Sequence, residues 1–353
     1  MKSVLYLTNI EVPYRVRMFN EFAKHCDLTV AYERRKSRNR NQGWTASEEQ
    51  KFNRKYFRGI NIKNENAFSL GLLREVLSGY DVVIVGCYNS PVQMAAIMLM
   101  RMLRKPYILN LDGEVFLRGN GIKTAIKRFF LVGAQKYLVA GENAAESVKT
   151  VANDKPIIPY HFSSLSKAEL QSNREVATFK RDNYILVIGQ YFDYKGMDIA
   201  LCAARMDPGN RYRFVGMGGR TNSFIEDYHI HPDENVEIIP FLQKKELEKE
   251  YNSCAMVVLP SRQECWGLVI NEAASFGTPI VSTWGSGAAV EFLSAEYPQF
   301  LAKQGDAEDL HRCIQRLVDF PDKKQYSSYL MEKSQKYSIE ENVQVHVLAC
   351  NES

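Results

Sequence analysis

The chain has 353 residues, 45% hydrophobic and 24% charged, the balance of a globular protein long enough for two domains with separate cores. Seven cysteines, odd in number and without a C-x-x-C pair, argue against a disulfide frame or a cysteine zinc site and predict reduced thiols in a cytoplasmic protein. The net charge of +4 is unevenly spread: residues 1–165 hold 25 Lys and Arg against 14 Asp and Glu (net +11), leaving 20 against 27 (net −7) in the rest, so two halves with different partners are expected.

In chain order, Lys2–Leu7 reads as a first strand, too short for the h-region of a signal peptide. The loop Thr8–Pro13 has no glycine, which argues against the G-x-G-x-x-G turn of a dinucleotide enzyme. A helix over Tyr14–His25 and a strand over Leu28–Tyr32 follow. The basic loop Glu33–Asn41 reads either as a solvated excursion or as a contact for anionic lipid headgroups or a diphosphate-bearing acceptor. Its charges do not alternate with the aromatics after it, Trp44, Phe52, Tyr56 and Phe57, so nucleic acid is not an expected partner.

A helix over Ser69–Leu77 and a strand over Asp81–Val85 come next. The Met-rich helix Pro91–Leu103 reads as core, and its longest apolar run, Met94–Met100, is far below membrane-spanning length. The strand Pro106–Leu111 ends at Asp112-Gly113-Glu114. Carboxylates at such a strand end sit where open α/β sheets bind ligands, although an Asp before Gly also caps turns. Gly121–Gln135 is a basic, amphipathic helix that suits either an anionic membrane surface or core packing with snorkelling lysines. After a strand over Tyr137–Gly141, Pro159-Tyr160-His161-Phe162 begins a connection. The polar stretch Ser163–Arg181 reads as a linker. The expected divisions are 1–165, a linker at 166–181, a second domain over 182–335, and a closing helix within 336–353.

The second half opens with a strand over Tyr184–Ile188, a loop from Gly189 and Gln190 to Lys195 and Gly196, and a helix over Met197–Arg205. A lysine in a Gly-ended loop before a helix N-terminus can neutralise a diphosphate. Arg213–Gly219 reads as a strand with a turn at Gly216, but its lone G-x-G lacks dinucleotide spacing. His229 and His231 read as a surface loop rather than a metal site. Val236–Pro240 is a strand leading to Phe241 and Leu242, and Lys244–Asn252 is a helix.

Ala255–Leu259 is a buried strand closed by Pro260-Ser261. The elbow Arg262-Gln263-Glu264 leads to a helix over Leu268–Phe276, ended by Gly277 and Pro279. A strand over Pro279–Ser282 follows, and Gly285-Ser286-Gly287 opens another helix. Asp306–Val318, Lys323–Lys336 and Glu340–Leu348 read as the last helices. Strands alternating with helices in this way predict a doubly wound, parallel α/β sheet.

Two carboxylates stand out, Glu264 and Glu272. Eight helical steps span roughly 12 Å, about the distance from the sugar of a nucleotide sugar to its ribose. The amides of Trp266, Gly267 and Leu268 lie between them at a helix N-terminus, where N–H groups favour phosphate oxygens. Glu264 would then accept from sugar hydroxyls and Glu272 from the ribose diol. Cys265 is most simply a small residue packed at the helix start.

The string Glu264, Gly267, Glu272-Ala273 and Gly277-x-Pro279, after a strand and Pro260-Ser261, resembles the E-x7-E signature of retaining GT-B glycosyltransferases of family 4. Its wording, ECWGLVINEA…GTPIVS…GSGAAVEFL, resembles the bacterial enzymes that assemble capsular, exopolysaccharide and O-antigen chains. The resemblance is close over residues 180–293 and looser before them, where Pro13-Tyr14-Arg15, Phe19 and Gly43-Trp44 carry it. It implies two Rossmann-like domains facing across a cleft, with a C-terminal helix returning to the first. It also implies a nucleotide-sugar donor, UDP-sugar favoured, and a saccharide acceptor, lipid-linked, with peripheral contact to an anionic membrane.

Under the resemblance, Lys195, Glu264 and Asp112 are the catalytic candidates. Glu272, Gln190, Gly196, Gly216, Phe241, Leu242, Arg262, Cys265, Trp266, Gly267 and Leu268 would hold the donor. Glu11, Tyr14, Arg15, Trp44 and Glu114 are acceptor-side candidates. No metal or cofactor is implied. The chain departs from the family where Gln190 replaces an arginine, so Lys195, helped by Arg15 or Arg262, has more charge to neutralise. It departs again where Glu11-Val12-Pro13 replaces a Gly-Gly loop. A glycoside hydrolase needs carboxylates on opposite sides of one ring, roughly 5–9.5 Å apart, which a helix-borne pair with a phosphate cradle does not offer. A non-catalytic nucleotide-sugar-binding relative is the alternative.

Overall fold

The computed structural model describes residues 1–34, 49–57, 59–61, 67–113, 115, 121–232 and 234–351, which divide into two compact units. Trp44 and Glu114, and all but the first two residues of the basic loop, lie outside the described residues.

Unit 1 comprises residues 1–164 and 339–353. It runs β1 (Ser3–Ile10), α1 (Pro13–Phe22), β2 (Asp27–Arg34), β3 (Asn53–Tyr56), β4 (Ile60–Asn61), β5 (Ala67–Phe68) and α2 (Leu70–Val76). It continues with β6 (Val82–Val85), α3 (Pro91–Met102), β7 (Ile108–Leu111), α4 (Ile122–Leu131), β8 (Lys136–Ala140), α5 (Glu142–Lys149) and β9 (Ile157–Tyr160). Seven strands form a parallel sheet in the order β3-β2-β1-β6-β7-β8-β9, while β4 and β5 pair separately as antiparallel strands. β6, β7 and β8 are buried along their whole length, as parallel strands covered on both faces must be.

Unit 2 comprises residues 165–338. It runs α6 (Lys167–Val176), β10 (Ile185–Ile188), α7 (Met197–Arg205), β11 (Tyr212–Val215), α8 (Thr221–Asp227), β12 (Val236–Ile239), α9 (Lys244–Ser253) and β13 (Met256–Leu259). Then come α10 (Leu268–Ser275), β14 (Ile280–Thr283), α11 (Gly287–Leu293), β15 (Leu301–Ala302), α12 (Ala307–Val318) and α13 (Lys323–Ser334). Its six parallel strands take the order β12-β11-β10-β13-β14-β15, the 3-2-1-4-5-6 order of a doubly wound sheet. The last helix, α14 (Ile339–Asn351), packs on α1 and on β9, so both ends of unit 1 meet.

The structure departs from the sequence reading in four places. The stretch 166–181, expected as a linker, contains α6 inside unit 2. Ser166 Oγ accepts from the Glu169 amide while the Glu169 carboxylate takes the Ser166 amide, a reciprocal cap that makes a polar sequence start a helix. Pro159-Tyr160, expected as a connection, belongs to β9; this strand lies at the sheet edge, where a missing N–H leaves no ladder bond unmade. Glu264 is not helical: it forms a lone bridge with Ser286, and helix begins only at Leu268, so the helical span between the two glutamates does not apply. α3 is not wholly core, because Met98 and Met102 face outward and are exposed.

Candidate active site

The switch point of the unit 2 sheet lies between β10 and β13, which run side by side (Ile185 with Met256, Val187 with Val258). Their onward connections leave in opposite directions, which opens a crevice at the carboxyl ends of the strands. Two loops border it, Gly189–Gly196 after β10 and Pro260–Gly267 after β13. Both are pinned by backbone contacts. The Gln263 amide donates to the Tyr194 carbonyl (3.1 Å), and Arg262 Nη1 donates to the Asp193 carbonyl (2.6 Å). Gly196 sits in the left-handed region (φ 67°), and a Cβ there would lie 2.1 Å from the Pro260 carbonyl oxygen. Only glycine allows both that backbone and that approach.

The result is that Lys195 and Glu264, 69 residues apart, form an ion pair, their side chains only 19% and 17% exposed. A third strand end braces Glu264. Its amide donates to the Gly285 carbonyl (2.8 Å), its own carbonyl accepts from Gly287 (3.3 Å), and Ser286 Oγ donates to the Trp266 carbonyl (3.1 Å). Gly267, at φ 102°, begins α10, and no side chain caps the first turn of that helix. Cys265 is exposed. The Trp266 indole is turned into the interior, where its Nε1 donates to Asn271 Oδ1 (2.8 Å).

Glu272 lies in the second turn of α10 and is half-buried. Its Oε2 accepts from the Tyr251 hydroxyl at 2.9 Å. Burial first, and the Glu272 charge second, raise the Tyr251 phenol well above its ordinary range, so it remains an O–H donor. Arg262 is engaged by Asp198, with Nη1–Oδ1 at 2.8 Å and Nη2–Oδ2 at 2.5 Å, a bidentate pair that raises the guanidinium pKa further. Gln190 sits in the Lys195 loop, Gly216 follows β11 at φ 103°, and Phe241 and Leu242 are half-buried after β12.

Unit 1 places Asp112 at the carboxyl end of β7, where it pairs with the buried Arg15 of α1. Burial, the largest single effect, would lower the Arg15 pKa, but the Asp112 charge together with Tyr6, Tyr14 and Tyr160 outweighs it and holds the guanidinium charged. Arg15 Nη1 donates to the Tyr6 hydroxyl (2.7 Å), which donates to Asn110 Oδ1 (2.8 Å); Asn110 Nδ2 reaches the Tyr160 hydroxyl (2.9 Å), which donates to Asp112 Oδ1 (3.0 Å). His346 of α14 closes the cluster: Nε2 lies 2.9 Å from Asn110 Oδ1 and Nδ1 2.9 Å from the Asn342 carbonyl. The Glu11 carboxylate accepts from the Tyr56 hydroxyl, and the Tyr14 ring packs edge-on against Phe162, centroids 5.6 Å apart. Neither Arg15 nor Arg262, then, is a spare cation; each is already bonded to an aspartate. Sequence reasoning missed Tyr251, Asp198, Asn110, Tyr160 and His346, because each meets its partner only through the tertiary fold.

The fold, two Rossmann-like parallel-sheet units of α/β type, is that of the GT-B structural neighbours. A crystal structure of Anabaena HepE in complex with UDP and glucose has 16% sequence identity, a TM-score of 0.70, and full coverage of both chains. Residues 170–337 match the family model of the glycosyl transferases group 1, so unit 2 carries a glycosyltransferase group 1 domain. The chain is 25% identical to an uncharacterized glycosyltransferase of Methanocaldococcus jannaschii over 75% of this chain and 73% of that one. It is also 26% identical to an uncharacterized protein of the cps region of Klebsiella pneumoniae over 37% of each chain. Among the described residues no helix is long and apolar enough to cross a membrane, and no group of three or more His, Cys, Asp or Glu gathers in a way that could hold a metal ion.

Proposed function

We propose that the protein transfers a sugar from a nucleotide-diphosphate donor to a saccharide acceptor, lipid-linked, with retention at the anomeric carbon, in the synthesis of a bacterial surface polysaccharide. The observation that carries this reading is the Lys195–Glu264 pair at the switch point of unit 2, with Glu272 in the second turn of the helix that follows. The UDP and glucose of the HepE complex favour a UDP-sugar as donor, and the likeness to a cps-region protein favours surface polysaccharide.

In this reading the bond between the anomeric carbon and the phosphate oxygen breaks, and its electron pair stays with the nucleoside diphosphate. The acceptor hydroxyl oxygen bonds to the same face of that carbon and passes its proton to the departing phosphate oxygen. Lys195 and the first-turn amides of α10 stabilise the charge as it builds. Glu264 receives donor hydroxyls, and Glu272, oriented by Tyr251, receives the ribose diol. Asp112, fixed by Arg15 and Tyr160, is the acceptor-side carboxylate. No step needs a metal, so turnover should persist in EDTA.

The test is incubation of the purified protein with UDP-, GDP- and dTDP-sugars, reading release of nucleoside diphosphate and the anomeric configuration of the product by NMR. Release from one donor and retention support the proposal. Binding without release favours a non-catalytic nucleotide-sugar-binding protein, the alternative motivated by Gln190 and by Lys195 being held by Glu264.

A further inference from the structure

α12 is amphipathic: Leu310, Cys313, Ile314 and Leu317 are its buried residues. Its other side carries two polar stripes, His311, Gln315 and Asp319 on one and Arg312 and Arg316 on the next, each spaced by four residues. Such a surface normally faces open water. Here it forms one wall of a cavity of about 540 Å³, whose other wall is the short 3-10 turn Pro298–Phe300 and the Phe320-Pro321 pair that follows α12. That size lies within the roughly 300–1,000 Å³ of small-molecule sites. The turn enters β15 at its amino end, and α12 packs on the turn as well as on β14 and β15. The cavity is therefore at the amino ends of the strands, whereas the Lys195–Glu264 crevice is at their carboxyl ends, and the two share no lining residue.

Two nitrogens in the α12 wall have no hydrogen-bond partner among the described residues, His311 Nδ1 and Gln315 Nε2, and both are closed to water. A buried polar atom left in that state is costly, and such atoms are rare. The two residues are neighbours on one stripe, so a single molecule seated against it can meet both. Each side chain is half-buried and lines the cavity with its other edge. A half-turn about its last torsion, which is broad for imidazole and amide groups, presents the nitrogen to the cavity.

The remaining groups define the molecule. Arg312 is held by Asp309 at 3.0 Å, with Glu308 at 3.8 Å, whereas Arg316 has no carboxylate within ion-pair distance among the described residues. Its guanidinium is a planar fork suited to phosphate. Phe300 and Phe320, edge-on with centroids 5.3 Å apart, and Pro321 offer apolar surface to the face of a ring. Asp319 and the Gln299 amide oxygen can accept from hydroxyl or N–H groups at the edge of that ring. A bare anion would leave the apolar wall unused and be repelled by Asp319. A wholly apolar molecule would leave Arg316 and the two nitrogens unmet.

We infer that this cavity binds a phosphorylated ring compound, of the size of a sugar phosphate or a nucleotide, at a site separate from the Lys195–Glu264 crevice. The inference stands on the cavity alone and does not depend on the proposed transfer reaction.

The experiment is calorimetric titration of the purified full chain with glucose 1-phosphate, UMP and inorganic phosphate in turn. One of the two ring compounds should bind more tightly than inorganic phosphate, and which one does so tells a sugar phosphate from a nucleotide. Arg316→Ala should weaken that binding roughly 10- to 100-fold, the loss of a charged hydrogen bond, and Gln315→Leu should weaken it several-fold. Arg316 is exposed, so its variant should keep the parent Tm, and Gln315→Leu should not lower Tm because it removes an unmet buried nitrogen. Glu272→Gln should leave this binding as it is, which separates it from any nucleotide held in the crevice. A crystal soaked in the tighter ligand should show it between Arg316 and Phe320. No binding, equal binding of all three compounds, or binding that Glu272→Gln weakens and Arg316→Ala does not would overturn the inference.

Discussion

At the scale of single residues, Lys195 would serve a departing diphosphate, in the proposed reaction, only by being shared between it and Glu264, with which it is paired. Lys195→Ala should lower nucleoside diphosphate release roughly 100- to 1000-fold, the usual effect of removing one preorganised charge at a developing oxyanion. It also leaves a largely buried carboxylate without its cation. Gly196→Ala changes no charge, yet it should be damaging in a different way. The left-handed backbone and the collision with the Pro260 carbonyl together should take at least ~1 kcal/mol from stability, read as a lower Tm, and should separate the loops that bring Lys195 to Glu264. Glu272→Gln should raise the donor KM roughly 10- to 100-fold with little change in kcat, as expected for a lost hydrogen bond to a charged acceptor. Tyr251→Phe should act through the same bond. Combined with Glu272→Gln it should add almost nothing, and a double-mutant cycle measures that coupling.

At the scale of elements, the reciprocal cap of α6 makes a simple prediction. Ser166→Ala should destabilise unit 2 by about 1 kcal/mol, visible as a lower urea midpoint with no change in donor KM. The same helix shows what was legible in the sequence and what was not. Ser166 and Glu169 form a capping pair three residues apart, but the polar composition around them looked like a linker. Pro159 looked like a turn because its place at a sheet edge is a property of the whole fold. The strands β10, β13 and β14 were legible because buried parallel strands are short apolar runs bounded by Gly, Pro and Ser. For the candidate site, Lys195, Glu264 and Glu272 stood out as part of a family-like motif, and the structure pairs Lys195 with Glu264. Their partners Tyr251 and Ser286, and the tyrosine–asparagine–histidine cluster around Asp112, had no signal, since hydrogen bonds between distant segments leave no periodicity behind.

At the scale of the whole molecule, unit 1 is closed by a helix that follows unit 2 in the chain, and that helix carries a titratable group. Burial pushes the His346 pKa down to about 4; the Asn342 carbonyl opposes this, and the Arg15 charge adds to the lowering. Above pH ~6.5 neither the folded nor the unfolded chain holds this proton, so stability is undiminished. As pH falls from about 6.5 toward 4, the unfolded chain binds a proton that the folded chain refuses, and roughly 3 kcal/mol should be lost. Below that no further loss comes from this group. Denaturant unfolding of unit 1 between pH 7.5 and 4.5 measures the slope, and His346→Gln should flatten it.

The insertion of unit 2 between β9 and α14 also sets an order of events during synthesis. Phe22 of α1 packs its ring edge-on against His346, and Val343 and His346 of α14 are buried. On a ribosome adding about 5–20 residues per second, the residues of unit 2 take on the order of ten to thirty seconds to emerge. During that interval unit 2 can complete its sheet, while the α1 surface waits uncovered for the helix that will lie on it. The nascent chain therefore finishes its middle before its beginning, and Phe22 of α1 meets its partner only after the last helix has emerged.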